Sequence, residues 1–105
     1  MKKIECFIRE TDVAALVDKL GQSGVSGITA YPVQGFGRQR GKGSGALLPK
    51  MKLEVFVLDI EVENIVALVT EITRQGKFGD GKIAVLPVND VIRVRTGETG
   101  AQALY

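Results

Sequence analysis

One sequence unit occurs twice in this chain, and that repetition constrains the fold more than any other feature. Lys3-Ile-Glu-Cys-Phe-Ile8 and Lys52-Leu-Glu-Val-Phe-Val57 carry Lys, Glu and Phe at matching positions with apolar residues between them. Alternation of this kind predicts two strands, with Ile4, Cys6 and Ile8, or Leu53, Val55 and Val57, on one face. A helical pattern follows each strand. Val13, Leu16, Val17 and Leu20 recur at i, i+3, i+4, i+7 behind Thr11 or Asp12 as N-cap, and Val62, Ile65, Val66, Val69 and Ile72 do so behind Asp59. Gly21 or Gly24 can end the first helix and Gly76 the second. The copies close on Ala30-Tyr-Pro-Val33 and Ala84-Val-Leu-Pro-Val88. Their offset grows from 49 at Lys3 and Lys52 to 55 at Pro32 and Pro87, which assigns six extra residues to the second copy, around Gly76–Lys82.

Two tandem strand-helix-strand units make a βαββαβ, ferredoxin-like α+β domain with both helices on one sheet face. A further C-terminal strand near Val91–Arg95 is expected to extend the sheet. The chain of 105 residues forms one domain, 1–105. Glu5, Phe7, Glu54 and Phe56 then share the other face. That mixture of charge and aromatic surface points to a neighbouring subunit; two isolated exposed phenylalanines are the plainer alternative.

Absences exclude much chemistry. There is no histidine, so no Ser-His-Asp or Cys-His arrangement and no imidazole metal ligand. The single cysteine, Cys6, makes neither an internal disulfide nor a closed thiolate zinc site. Glu5, Arg9, Glu10 and Asp12 interrupt any signal-like apolar stretch after Met-Lys-Lys-Ile, and no apolar run approaches the ~20 residues of a membrane span. A cytoplasmic protein without membrane insertion is expected. The net charge of +2 says little, whereas its distribution says more: between Lys19 and Leu53 there is no Asp or Glu, while Arg38, Arg40, Lys42, Lys50 and Lys52 lie there. An anionic partner follows.

Three segments suit phosphate. Gln34–Gly45 is rich in glycine and cations, so backbone N–H groups can approach a ligand closely, although a solvated hairpin loop has the same composition. Gly76-Lys-Phe-Gly-Asp-Gly-Lys82 reads as a phosphate nest or as a plain helix-to-strand turn, and is not a Walker A loop. In Arg93-Val-Arg-Thr-Gly-Glu98, with Ile92 and Val94 facing inward, Arg93 and Arg95 project from one side of a strand. They can clamp a polyphosphate or simply protect an edge. No base for hydrolysis is evident, so binding is better supported than catalysis and no catalytic residue or metal site is assigned.

Gly35-Phe-Gly-Arg-Gln39, Leu48-Pro-Lys-Met-Lys-Leu-Glu54, Gly76–Lys82 and Arg93–Glu98, in this order over nearly the whole chain, resemble the PII nitrogen-regulatory signalling family. The resemblance implies a homotrimer with ATP or ADP in the cleft between subunits. By matching position, Gly35, Phe36, Gly37, Arg38 and Gln39 would line one side, and Gly79, Asp80, Gly81 and Lys82 would hold the phosphates. From the neighbour, Gly27, Ile28, Thr29, Glu54 and Phe56 would face base and sugar, with Arg93 and Arg95 on the phosphates. Gln39 and Lys50 would bind an acidic effector, usually 2-oxoglutarate bridged through Mg²⁺ to ATP.

The sequence also departs from the family. The loop between Gln39 and Lys50 is shortened and lacks the family's modifiable tyrosine, with Tyr31 placed on a strand and Tyr105 last in the chain. That weighs against uridylylation and against docking on an ammonium channel. Arg9-Glu10 stands where Lys-Pro is commoner, which weakens the 2-oxoglutarate assignment. A carbon-assimilation-linked relative sensing bicarbonate with ADP or AMP is the alternative reading. RNA-recognition motifs share the topology and stack bases where Phe7 and Phe56 fall, but strand three lacks their glycine-aromatic-glycine core. Slow ATP hydrolysis and a purely structural trimer complete the alternatives.

Overall fold

The computed structural model describes residues 1–37 and 47–105. Arg38 and Gln39, and most of the glycine-rich loop after them, lie outside the described residues. The elements are β1 (Lys2–Ile8), α1 (Val13–Gln22), β2 (Thr29–Gly35), β3 (Leu48–Val57), α2 (Val62–Thr73) and β4 (Lys82–Pro87). The four strands form one antiparallel sheet in the order β2-β3-β1-β4. This is the ferredoxin-like arrangement expected from the repeat.

The two copies meet through their first strands. Lys3 lies opposite Phe56, Glu5 opposite Glu54 and Phe7 opposite Lys52, so the Lys3–Phe56 pair is the counterpart of the Lys52–Phe7 pair about a pseudo-twofold axis between the two glutamates. Because side chains alternate across a strand, Ile4, Cys6, Ile8, Leu53, Val55 and Val57 share one face, where they are buried with Leu16, Leu20, Ile65 and Val69 from the helices. Burial pushes the Cys6 thiol up to about 11, which removes it from thiolate chemistry at neutral pH.

The offset of 49 persists through the helices. Each is entered by a single 3₁₀ turn, Glu10–Asp12 or Asp59–Glu61, and they start at Val13 and Val62. The expected side-chain caps are absent: Asp12 occupies the N-cap position with helical backbone angles and no capping bond. Asp59 instead pairs with the N-terminal ammonium at 2.9 Å, and Glu61 accepts from the Leu58 N–H at 2.7 Å. Gly24 (φ +94°) follows the Ser23 C-cap of α1, where a left-handed residue commonly ends a helix. The second helix stops at Thr73, before Gly76. With 12 residues against 10, α2 takes up part of the excess that the sequence comparison placed around Gly76–Lys82.

The expected strand near Val91–Arg95 does not join the sheet. The segment folds back on itself through one bridge, Ile92 with Thr99. The Asp90 carboxylate accepts from the N–H groups of Val91 and Gly100, and Arg93 and Glu98 pair at 2.6 Å. Ile92 and Val94, expected to face inward, are 57% and 97% exposed. Their alternation is that of a strand, but within the chain these contacts fold the segment against its own continuation. A 3₁₀ turn, Gly100–Leu104, ends the chain.

Candidate functional site

The open sheet face carries the charged half of the repeated pattern. Two carboxylates placed directly opposite across a strand pair are unfavourable without compensation. Lys3 lies 2.7 Å from Glu5, Lys52 lies 3.4 Å from Glu5 and 3.3 Å from Glu54, and the Tyr31 hydroxyl donates to Glu54 at 2.8 Å. Lys3, chiefly, holds Glu5 below the usual carboxylate range, and the Tyr31 hydroxyl does the same for Glu54. The Lys52 ammonium also sits 5.3 Å from the Phe7 ring centroid and 5.6 Å from that of Tyr31.

One end of the sheet gathers the glycine-rich segments. Gly35 pairs with Leu48, Ile8 with Met51 and Phe7 with Lys82, so Gly35–Gly37, Lys50, Arg9 and Gly79–Lys82 emerge together. Lys50 Nζ donates to the Gly79 carbonyl at 3.5 Å. A cavity of about 310 Å³ opens here, lined by Arg9, Glu10, Thr11, Pro49, Lys50 and Gly79 among others. Another of about 200 Å³ lies between α2 and β4, against Thr73, Arg74, Asp80, Gly81 and Lys82.

Between α2 and β4 the chain curls around Asp80. Asp80 Oδ2 accepts from the N–H groups of Gln75 and Gly76 at 2.8 Å and of Lys77 at 3.3 Å, while Oδ1 takes the Arg9 guanidinium at 2.6 Å. Arg9, followed by these amides, holds the Asp80 carboxyl well below the usual range. The amides of Gln75, Gly76 and Lys77 therefore converge on the protein's own carboxylate, where the sequence reading offered the segment to an external phosphate. Gly81 (φ +108°) is the tightest point: a Cβ there would lie 2.0 Å from the Phe7 carbonyl oxygen. Only glycine brings the backbone into β4 at this position.

The remaining site residues lie elsewhere. Thr29 stands opposite Glu54, with Gly27 and Ile28 preceding it, and Phe56, opposite Lys3, is 41% exposed. Arg93 and Arg95 follow Pro87, which pairs with Lys2 at the opposite end of the sheet from Lys82. Arg93 is held by Glu98 and the Gln102 carbonyl, while Arg95 is exposed. One chain thus separates two groups: Gly35, Phe36, Gly37, Lys50 and Gly79–Lys82 at one end, and Gly27–Thr29, Glu54, Phe56, Arg93 and Arg95 away from it. Sequence reasoning noted Arg9 only as a departure from the family's usual lysine and missed its contact with Asp80, 71 positions away. Among the described residues, no three His, Cys, Asp or Glu side chains are grouped to hold a metal ion, and no helix is long and apolar enough to cross a membrane.

Comparison with known proteins identifies the family. The family model described as Nitrogen regulatory protein P-II matches residues 1–98. Curated relatives of that name from Azospirillum brasilense and Cereibacter sphaeroides are 40% and 41% identical over 99% of this chain and 100% of their own length. A Nitrogen regulatory protein P-II homolog from Arabidopsis thaliana is 38% identical over 96% of this chain and 56% of its own length. The bacterial alignments span 112 positions against 105 residues here.

Proposed function

This chain belongs to the nitrogen regulatory protein P-II family, whose members are signalling regulators and not enzymes, and on that premise we propose that it is a trimeric, cytoplasmic sensor binding adenine nucleotide between neighbouring subunits. The observation that carries this reading is the separation of the two residue groups across the sheet. A cleft using both needs two copies: one supplies Gly35–Gln39 and Gly79–Lys82, and the next supplies Gly27–Thr29, Glu54, Phe56, Arg93 and Arg95. Incomplete burial supports a further layer. Ile92 and Val94 are 57% and 97% exposed, and Phe56 is 41% exposed.

In that cleft Lys82 supplies charge to the phosphates of ATP, ADP or AMP, and Asp80 contributes by shaping the loop, since its carboxylate is committed to Arg9 and three amides. Mg²⁺, if bound with ATP, would take its ligands largely from the phosphates. Lys50, beside Gly79, would meet an anionic effector together with Gln39. Glu10 lines the same cavity as Lys50, which favours a small monoanion such as bicarbonate over a dicarboxylate such as 2-oxoglutarate. The output would be a change of loop conformation read by a transporter or an enzyme. An RNA-stacking role is less well supported, because the Lys52 ammonium lies over the Phe7 ring.

Calorimetric titration with ATP, ADP and AMP, each with and without bicarbonate or 2-oxoglutarate, tests the proposal. Loss of a charge-assisted phosphate contact in Lys82→Ala or Arg93→Ala should cost roughly 1.5–3 kcal/mol, about tenfold or more in affinity. Unchanged affinity in both variants rejects the site.

A further inference from the structure

Arg9 belongs to none of the segments that suggested phosphate binding, yet its side chain connects the end of β1 to the loop 74–82. Its Nη2 lies 2.6 Å from Asp80 Oδ1, and its Nη1 donates to the Thr73 carbonyl at 3.3 Å and lies 3.7 Å from Asp12 Oδ2. One guanidinium therefore joins four points: the strand end that carries it, the entry to α1, the last residue of α2 and the carboxylate at the centre of the loop. Its side chain and that of Asp80 are each 21% exposed, so water competes for them only in part.

The arrangement has a direction. The planar fork offers several donors in fixed relation, so it can hold a carbonyl and a carboxylate at once. With Oδ1 fixed by Arg9, Oδ2 is turned onto the N–H groups of Gln75, Gly76 and Lys77. Those three amides point inward, and the loop closes with Gly81 against the Phe7 carbonyl and Lys82 exposed at the start of β4.

We propose that Arg9 is a positioning residue for the loop 74–82: by orienting the Asp80 carboxylate it holds the inward turn of residues 75–77 and thereby fixes where Gly81 and Lys82 are presented. This rests on the reading of that loop as phosphate-binding for its functional consequence, but not for its structural one. A lysine at position 9 has one ammonium and no fork, so it would keep the charge and lose the simultaneous hold on Thr73.

The experiment uses the full-length protein and its Arg9→Gln and Arg9→Lys variants, with amide hydrogen exchange and adenine-nucleotide titration on the same samples. In Arg9→Gln, protection at Gln75–Lys77 should fall while that of β1 and β3 is kept, and nucleotide affinity should drop roughly tenfold. Arg9→Lys should lie between. Affinity equal to wild type in Arg9→Gln would overturn the proposal, as would unchanged protection at 75–77. An equal loss of protection across β1 and β3 would also overturn it, since Arg9 would then act on the whole fold. Should the wild type bind no nucleotide, the nucleotide reading fails, and the exchange pattern alone decides the role of Arg9.

Discussion

The two halves of this protein make the same journey from helix to strand by different means. After α1 the chain passes through residues 23–28, where Ser23 ties back to Lys19 and Leu20 and Gly24 turns with nothing within 4 Å of a would-be Cβ. After α2 it passes through residues 74–81, where a carboxylate gathers three amides, an arginine from the other half seals them, and Gly81 presses on β1. The first connection needs only to turn. The second is built far more tightly than turning requires, and it lies beside Lys50 at the end of the sheet where the glycine-rich segments meet. Duplication supplied two equivalent frames, and the proposed function occupies the place where they differ.

Replacing the glycine of each connection breaks the comparison most severely. Gly81→Ala combines a positive φ with a backbone clash, and its expected cost is about 4 kcal/mol in denaturant unfolding. Gly24→Ala meets only the conformational penalty, about 1 kcal/mol. Similar losses in the two would mean that the second connection is an ordinary turn.

The cores should respond alike where the connections do not. Leu16 and Ile65 stand at equivalent positions of α1 and α2 and are both buried. Leu16→Ala and Ile65→Ala should each cost about 3 kcal/mol. A large difference would show that the copies no longer share the burden of the core equally.

The smallest expected effect probes the open face, where Tyr31 breaks the pseudo-symmetry by donating to Glu54 but not to Glu5. Tyr31→Phe should cost about 1 kcal/mol near neutral pH. Glu54 is held below its ordinary value, so the stabilisation is present above the usual carboxylate range and is lost as pH falls through the folded value. The difference between wild type and variant should therefore shrink in acid. A difference that grows in acid would contradict this assignment.

The shared frame was legible in the sequence because burial alone sets it. Alternation in Lys3–Ile8 and Lys52–Val57, and apolar spacing in the helices, report which faces must leave water; the register that pairs Glu5 with Glu54 is seen only in the structure. The role of Asp80 was not legible. Gly76–Lys82 looks like a nest for an external anion, and no local pattern shows that the amides of 75–77 converge on a carboxylate from the same loop. Arg9 was hidden for the same reason, as contacts across 71 positions leave no periodicity. Ile92-Arg-Val-Arg95 failed differently. Its alternation is that of a strand, yet Asp90 and Glu98 fold the segment onto itself, and Ile92 and Val94 remain outside. On the proposed assembly, another copy would cover them.

The central claim is that one binding site needs two chains, and complementation tests it most directly. Lys82→Ala and Arg93→Ala each spoil every cleft in their own assemblies. When the two variants are unfolded together and reassembled at equal amounts, roughly a quarter of the clefts should pair an intact Lys82 with an intact Arg93 from the neighbour. Nucleotide titration should then recover tight sites in about that proportion, where either variant alone has none. Mixed assemblies that bind as weakly as the separate variants would contradict a site shared between subunits.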